Sequence, residues 1–248
     1  MGKKKVVAVI DTEACPIVPM KQDEVDPRKS RVYDVGYIIG EKRGKKLIER
    51  SFVVADWFFN PLDFMKSAYY ANKIPQYRDN YHDAGEWKIC SMLEVFKQFR
   101  DDCKKYNVRE AWAYNCRYDA TVLNESVKDA SGGFNKYFLP YGVKWRDMWR
   151  LASLITSTAG YNEWAQAHGF TTPLGCAQTG VEAVTRFLTG ETDFAERHTA
   201  LDDARHEWDI LQHLRFRHYK TPEKWGAGNA AAMRYAKQHG YYIPPEQR

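Results

Sequence analysis

An α/β fold, built on a mixed β-sheet flanked by helices, is what this 248-residue sequence predicts, on three observations. Val6 to Ile10 is an unbroken apolar run, mostly β-branched, of the kind a strand buried on both faces requires. Two more strand-like runs, Arg31–Ile39 and Lys46–Val54, follow it and are joined across Gly40 and Gly44, which reads as a hairpin. After them, strand-like and helix-like segments alternate, the pattern of crossover connections. A hairpin followed by crossovers means a mixed sheet rather than a purely parallel one.

Each element has its own signal. Pro16 to Ser30 is a polar, proline-containing loop, and a loop of that length is commonly functional or unstructured. Trp57–Trp87 is irregular and rich in aromatic residues. Glu86–Tyr106 repeats apolar residues at helical spacing, with Ile89, Met92, Leu93, Phe96 and Phe99 as its stripe. Glu110–Tyr114 reads as a short buried strand, and Asp119–Ala130 as a helix closed by Ser131, Gly132 and Gly133. Lys144–Met148 is the last expected strand. Helices are expected over Tyr161–His168, Gly180–Leu188 and Thr199–His218. Residues 1–220 read as one domain and residues 221–248 as a helical extension of it, carrying one more helix at Ala227–Lys237.

Composition excludes several classes. Hydrophobic residues at 44% and charged residues at 28% suit a globular chain with a real core. Five scattered cysteines without a CxxC pair argue against a disulfide framework and against a cysteine zinc site. No apolar stretch approaches a membrane helix, and no signal-peptide core stands at the N-terminus, so an intracellular, cytoplasmic protein with no membrane partner is expected. The net charge of +5 is compatible with a polyanionic partner without requiring one. The basic runs Lys3–Lys5 and Lys42–Lys46 read first as a solvated tail and a solvated turn.

Three segments carry chemistry. At the end of the first strand stands Asp11-Thr12-Glu13, and strand residues two apart share a face. Two carboxylates held so close repel unless a cation lies between them, and hard ions such as Mg²⁺ or Mn²⁺ suit oxygen donors. The second segment leads from the buried strand through Asn115 to Asp119 at a helix start. Alone, Asp119 would be an ordinary first-turn acid favoured by the helix dipole. The third runs from His198 through Asp202 and Asp203. There Thr199 and Asp202 fit a capping box, which leaves Asp203 to face elsewhere. Alone, His198 would read as a surface histidine.

Taken in order, these segments resemble the DEDDh branch of the DnaQ-like, RNase T-like 3′–5′ exonucleases, a family with a ribonuclease-H-like fold. The D-x-E motif matches Asp11-Thr12-Glu13. The Asn followed by a helix-starting Asp matches Asn115 and Asp119. The H-x-A-x-x-D-A motif matches His198, Ala200, Asp203 and Ala204, and the family's Asp at the end of the last strand matches Asp147. The tyrosine branch would need Tyr at position 199, which holds Thr, so the histidine branch is assigned. After Glu13 this chain has Ala14-Cys15-Pro16 where the family often has Thr-Thr-Gly, so no substrate preference carries over.

The resemblance implies a phosphodiester hydrolase that trims DNA or RNA from a free 3′ end, single-stranded for preference, and releases nucleoside 5′-monophosphates. It implies two divalent metal ions, Mg²⁺ or Mn²⁺, held by Asp11, Glu13, Asp119 and Asp203, with His198 as general base. Thr12, Ala14 and Asn115 are the expected substrate contacts. Trp57, Phe58, Phe59, Tyr69 and Tyr70 are candidates for base stacking, with core packing the more ordinary role for each. A polymerase or other protein partner is compatible with the family. The rival reading is a catalytically inactive nucleic-acid-binding module on the same fold. It predicts at least one substituted acidic position, and all five motif residues are intact. A metal-free hydrolase using paired carboxylates would leave His198 and Asp203 unexplained.

Overall fold

The central strand β1 (Val6–Pro16) does not stop at Asp11 but carries the D-x-E segment inside the sheet. It can do so because β2 (Ser30–Glu41) pairs with it antiparallel along its whole length, with Asp11 opposite Gly36 and Glu13 opposite Asp34. The computed structural model describes residues 5–18, 20, 26–60, 64–68, 71–73, 75, 77, 88–190 and 198–214. Within them β3 (Lys46–Val54), β4 (Lys88–Cys90), β5 (Glu110–Ala113) and β6 (Lys144–Asp147) complete a six-stranded sheet of order β4-β3-β2-β1-β5-β6. The β1–β2 and β2–β3 pairs are antiparallel, and the β3–β4, β1–β5 and β5–β6 pairs parallel. The expected mixed sheet is what forms.

Helices α1 (Met92–Tyr106) and α2 (Cys116–Ala130) cover one face. Helices α3 (Met148–Thr156), α4 (Ala159–Ala167), α5 (Val181–Thr189) and α6 (Ala200–His213) cover the other. Alternation along β1 divides the core between them: Ala8 and Ile10 join the α1–α2 side, Val7 and Val9 the α3–α6 side.

Some element bounds differ from expectation. The helix read over Glu86–Tyr106 begins only at Met92, because Ser91 caps it with Glu94 in a complete capping box, and Lys88–Cys90 pairs with β3 instead. Its buried stripe is Met92, Val95, Phe99 and Cys103, while Leu93 is 40% exposed. Helix α3 was unforeseen; it starts where Asp147, at the end of β6, accepts the Arg150 N–H. The ends of the Pro16–Ser30 loop are tied together by pairing of Pro16 with Ser30 and by a 2.9 Å bond from Ile17 N–H to the Lys29 carbonyl. The expected helix at Ala227–Lys237 and the stretch beyond Leu214 lie outside the described residues. No helix among the described residues is long and apolar enough to cross a membrane.

Candidate active site

The D-x-E segment sits where the sheet's topology gathers chain ends. Ala8 pairs with Ala111 and Val9 with Trp112, so the exit of β5 toward Asn115 lies level with Asp11. Ala113 pairs with Asp147, which brings the end of β6 to the same edge. The carboxyl ends of parallel strands are the usual ligand-binding edge of such sheets.

Strand alternation then distributes the side chains. Asp11 and Glu13 follow Val7 and Val9 toward α6. Thr12 points to the other face, where its Oγ1 donates to Asp119 Oδ1 on α2 at 2.8 Å. On the α6 side Glu13, His198 and Asp203 converge: one donor atom from each lies within 4.8 Å of the others. The partly buried Asp11 joins both groups. Its carboxyl is held well above the ordinary range, first by burial and then by the charges of Glu207, Asp119, Asp203 and Glu13. Burial also pushes Asp119 up to about 7, with Asp147 adding to it and the Thr12 hydrogen bond opposing. All five motif residues therefore occupy one locus.

The backbone that delivers them is specific. Asn115 and His198 both take left-handed conformations, with φ of 61° and 55°. Asn115 is the N-cap of α2 without a side-chain cap bond, so its role there is to turn the chain from β5 into the helix. The first N–H of α6, from Ala200, is capped across the fold by Asp34 Oδ2 at 3.0 Å, and the same oxygen accepts from the Tyr77 hydroxyl at 2.7 Å. The capping box expected of Thr199 and Asp202 does not form. The Thr199 hydroxyl donates to Asp202 Oδ2 at 3.2 Å instead of accepting from the backbone. Asp202 faces Arg205, at 2.9 Å, and Asp203 is left to face the site as expected.

Of the expected substrate contacts, Thr12 and Ala14 are buried in β1, with a bulge between Glu13 and Ala14. The Thr12 hydroxyl is committed to Asp119. Trp57 is core, and Phe58 packs on Tyr33 and Tyr77, at 6.2 and 5.6 Å between ring centres. Phe59 is 60% exposed, while Tyr69 and Tyr70 fall outside the described residues.

Glu207 went unforeseen. It is buried, its Oε1 accepts the Tyr114 N–H at 2.9 Å, and among the neighbouring charges it acts most strongly on Asp11. Its signal was present: it stands four residues after Asp203, hence on the same helical face.

Solved structures share this architecture. The nuclease domain of 3′hExo, a DEDDh family member bound to rAMP, superposes with a TM-score of 0.56 at 11% identity, over 85% of this chain and 92% of that one. The fold is that of a DEDDh exonuclease domain. Exonuclease I from E. coli, in complex with a dT13 oligonucleotide, superposes with a TM-score of 0.50 at 13% identity. That superposition covers 84% of this chain but only 40% of Exonuclease I. No family model and no curated protein matches the sequence.

Proposed function

We propose that the protein is a metal-dependent 3′–5′ exonuclease that hydrolyses DNA or RNA from a free 3′ end and releases nucleoside 5′-monophosphates. One observation carries this reading. Glu13, His198 and Asp203, from segments far apart in sequence, bring donor atoms within 4.8 Å of one another, beside Asp11 and Asp119. At 11–13% identity the solved neighbours share the fold, and the functional reading rests on the cluster.

The donor set fits hard divalent cations. Burial, with neighbouring carboxylates adding to it, drives Asp11 and Asp119 toward their protonated forms, a cost that a cation offsets. Asp11, Glu13, Asp119 and Asp203 would hold two such ions, Mg²⁺ or Mn²⁺. When bound, the ions supply an activated water and charge stabilisation for the phosphodiester. The chain's own contribution is orientation and proton transfer. Thr12 fixes Asp119, Glu207 fixes the turn at Tyr114, and Asp34 fixes the start of α6 that carries Asp203. His198 takes the proton of the attacking water, a task suited to imidazole near neutral pH. Exposed Asn115, at the turn into α2, is the residue of the three placed to meet the terminal nucleotide, while Thr12 and Ala14, buried in β1, act through the strand that carries Asp11 and Glu13.

A 5′-labelled single strand tests the reading directly. With Mn²⁺ it should shorten as a ladder from its 3′ end, and with EDTA it should remain intact. Release of the label first, or undiminished cleavage in metal-stripped buffer, would overturn it. His198→Ala should still bind the strand but cleave it about 10²–10⁴-fold more slowly. An inactive binding module would bind without any metal-dependent ladder.

A further inference from the structure

The edge of the sheet opposite the carboxylate cluster has an unusual surface. Helices α1 and α2 start at the cluster edge and run back, so Tyr106, Ala130 and the loop after each lie at the far edge, beside the first residues of β5 and β6. In the loop between α2 and β6, Phe134 is 91% exposed, Tyr137 71% and Tyr141 102%. Exposed aromatic rings so dense normally signal a binding surface.

The loop is nonetheless firmly held. Phe138, in its middle, is fully buried and stacks on Phe99 at 4.9 Å, and its N–H donates to Asn124 Oδ1 at 2.8 Å. Asn135 N–H donates to Ser131 Oγ at 2.8 Å, and Lys144 N–H to the Arg109 carbonyl at 3.1 Å. The rings are therefore presented on a fixed frame.

The surroundings are cationic. From Ser131 to Arg146 the chain has Lys136, Lys144 and Arg146 and no carboxylate. Arg109 lies beside Gly142, and Lys104 and Lys105 end α1. Among the acids at this edge, Glu110 is buried and already bonded to Lys5 at 2.6 Å, to Lys42 at 3.2 Å and to Arg146 at 3.4 Å, Asp129 is paired with Arg31, and Asp102 with Arg50. The net charge left at the surface is positive.

Flat rings on a rigid frame among cations match the chemistry of a single-stranded nucleic acid, whose bases are free to stack while its phosphates meet Lys and Arg. A duplex hides its base faces and would use only the cations. We propose that Phe134, Tyr137 and Tyr141, with Arg109, Lys136 and Lys144, form a second contact surface for single-stranded nucleic acid, remote from the carboxylate cluster. The proposal rests on the exonuclease reading for the identity of the substrate. Along α2, the eleven steps from Asp119 to Ala130 span about 17 Å, at about 1.5 Å per residue. That is about five nucleotides at the stacked rise of about 3.4 Å. A trinucleotide is too short to bridge both surfaces, and a longer strand can.

Two variants of the full chain test this: Phe134→Ala with Tyr137→Ala and Tyr141→Ala, and Arg109→Gln with Lys144→Gln. The probe is a fluorescent 20-nucleotide oligo(dT), titrated in EDTA so that nothing is cleaved. The aromatic variant should raise Kd by at least about fivefold for each stacked base lost. The charge variant should lower the slope of log K against log salt by about 1.4, two phosphate contacts at about 0.7 each. Turnover of a trinucleotide in Mn²⁺ should be unchanged in both. An unchanged Kd in both variants overturns the proposal, and is the result expected if the surface serves a protein partner. Equal losses on trinucleotide and 20-mer also overturn it, because the effect would then lie in the carboxylate cluster. If wild type cleaves neither substrate, the exonuclease reading fails, while the Kd comparison still decides this one.

Discussion

Asp202 and Asp203 are sequence neighbours on α6 with opposite environments. Asp202 points outward to Thr199 and Arg205, and Asp203 is buried beside Glu13 and His198. Asp203→Asn should abolish turnover, whereas Asp202→Asn should keep it. The loss of stability at Asp202 should be about 1 kcal/mol or less, since its Arg205 pair is partly exposed and the expected backbone cap is absent. Turnover and melting temperature of both variants check this, and an essential Asp202 would mean that the active residue of the segment had been misread. Asp34 makes a second prediction at this scale. Burial pushes its carboxyl up to about 6 from the usual 3.8, against the hydrogen bonds from Ala200 and Tyr77. A carboxyl whose folded pKa is raised binds its proton more tightly in the native state. The stabilisation is complete below about pH 4 and is lost as pH rises through about 6, a change of up to about 3 kcal/mol. Asp34→Asn keeps an acceptor for Ala200 without the charge. Between pH 4.5 and 7, wild type should therefore lose stability relative to Asp34→Asn, and parallel curves would sink the argument.

At the scale of elements, the critical contact is α6 against β2. Gly36, opposite Asp11, lies so close to Ala200 and Leu201 that a Cβ there would overlap their backbone. Gly36→Ala must push the first turn of α6 away from the sheet, and Asp203 and His198 with it. Overpacking of this kind costs about 1–3 kcal/mol. Activity should fall along with melting temperature. Gly160→Ala, in α4 with nothing near its missing Cβ, should cost nothing and serves as the control. Equal effects of the two changes would show that the α6–β2 approach is not tight. Asn115 and His198 make the same point in the backbone, each bending the chain through a left-handed residue just before a helix that delivers an acid.

At the scale of the molecule, the cluster joins both layers. Asp119 belongs to the helix on one face, Asp203 to the helix on the other, and Asp11 and Glu13 to the strand between. An ion held among them would tie both layers to the sheet. With Mn²⁺ at about 100 times Kd, unfolding should cost about 2.7 kcal/mol more than in EDTA. In Asp203→Asn this metal-dependent rise in melting temperature should shrink or vanish. A full shift in that variant would place the ion elsewhere.

The sequence alone determined the hydrophobic strand, the hairpin after it, the strand–helix alternation and the ordered motifs from Asp11 to Asp203, because each is written as local periodicity or spacing. It could not determine that β1 continues to Pro16, since that depends on the partner β2 supplies along its length. Nor could it give the short strand at Lys88–Cys90, where pairing with β3 outweighs helical spacing. Residues whose partners are distant in sequence were equally illegible: Asp34 capping α6, Gly36 beneath it, and Glu207 tied to Tyr114 next to Asp11. The tertiary structure decided these because burial, close approach and charge proximity belong to pairs of segments, and no single segment encodes its partner.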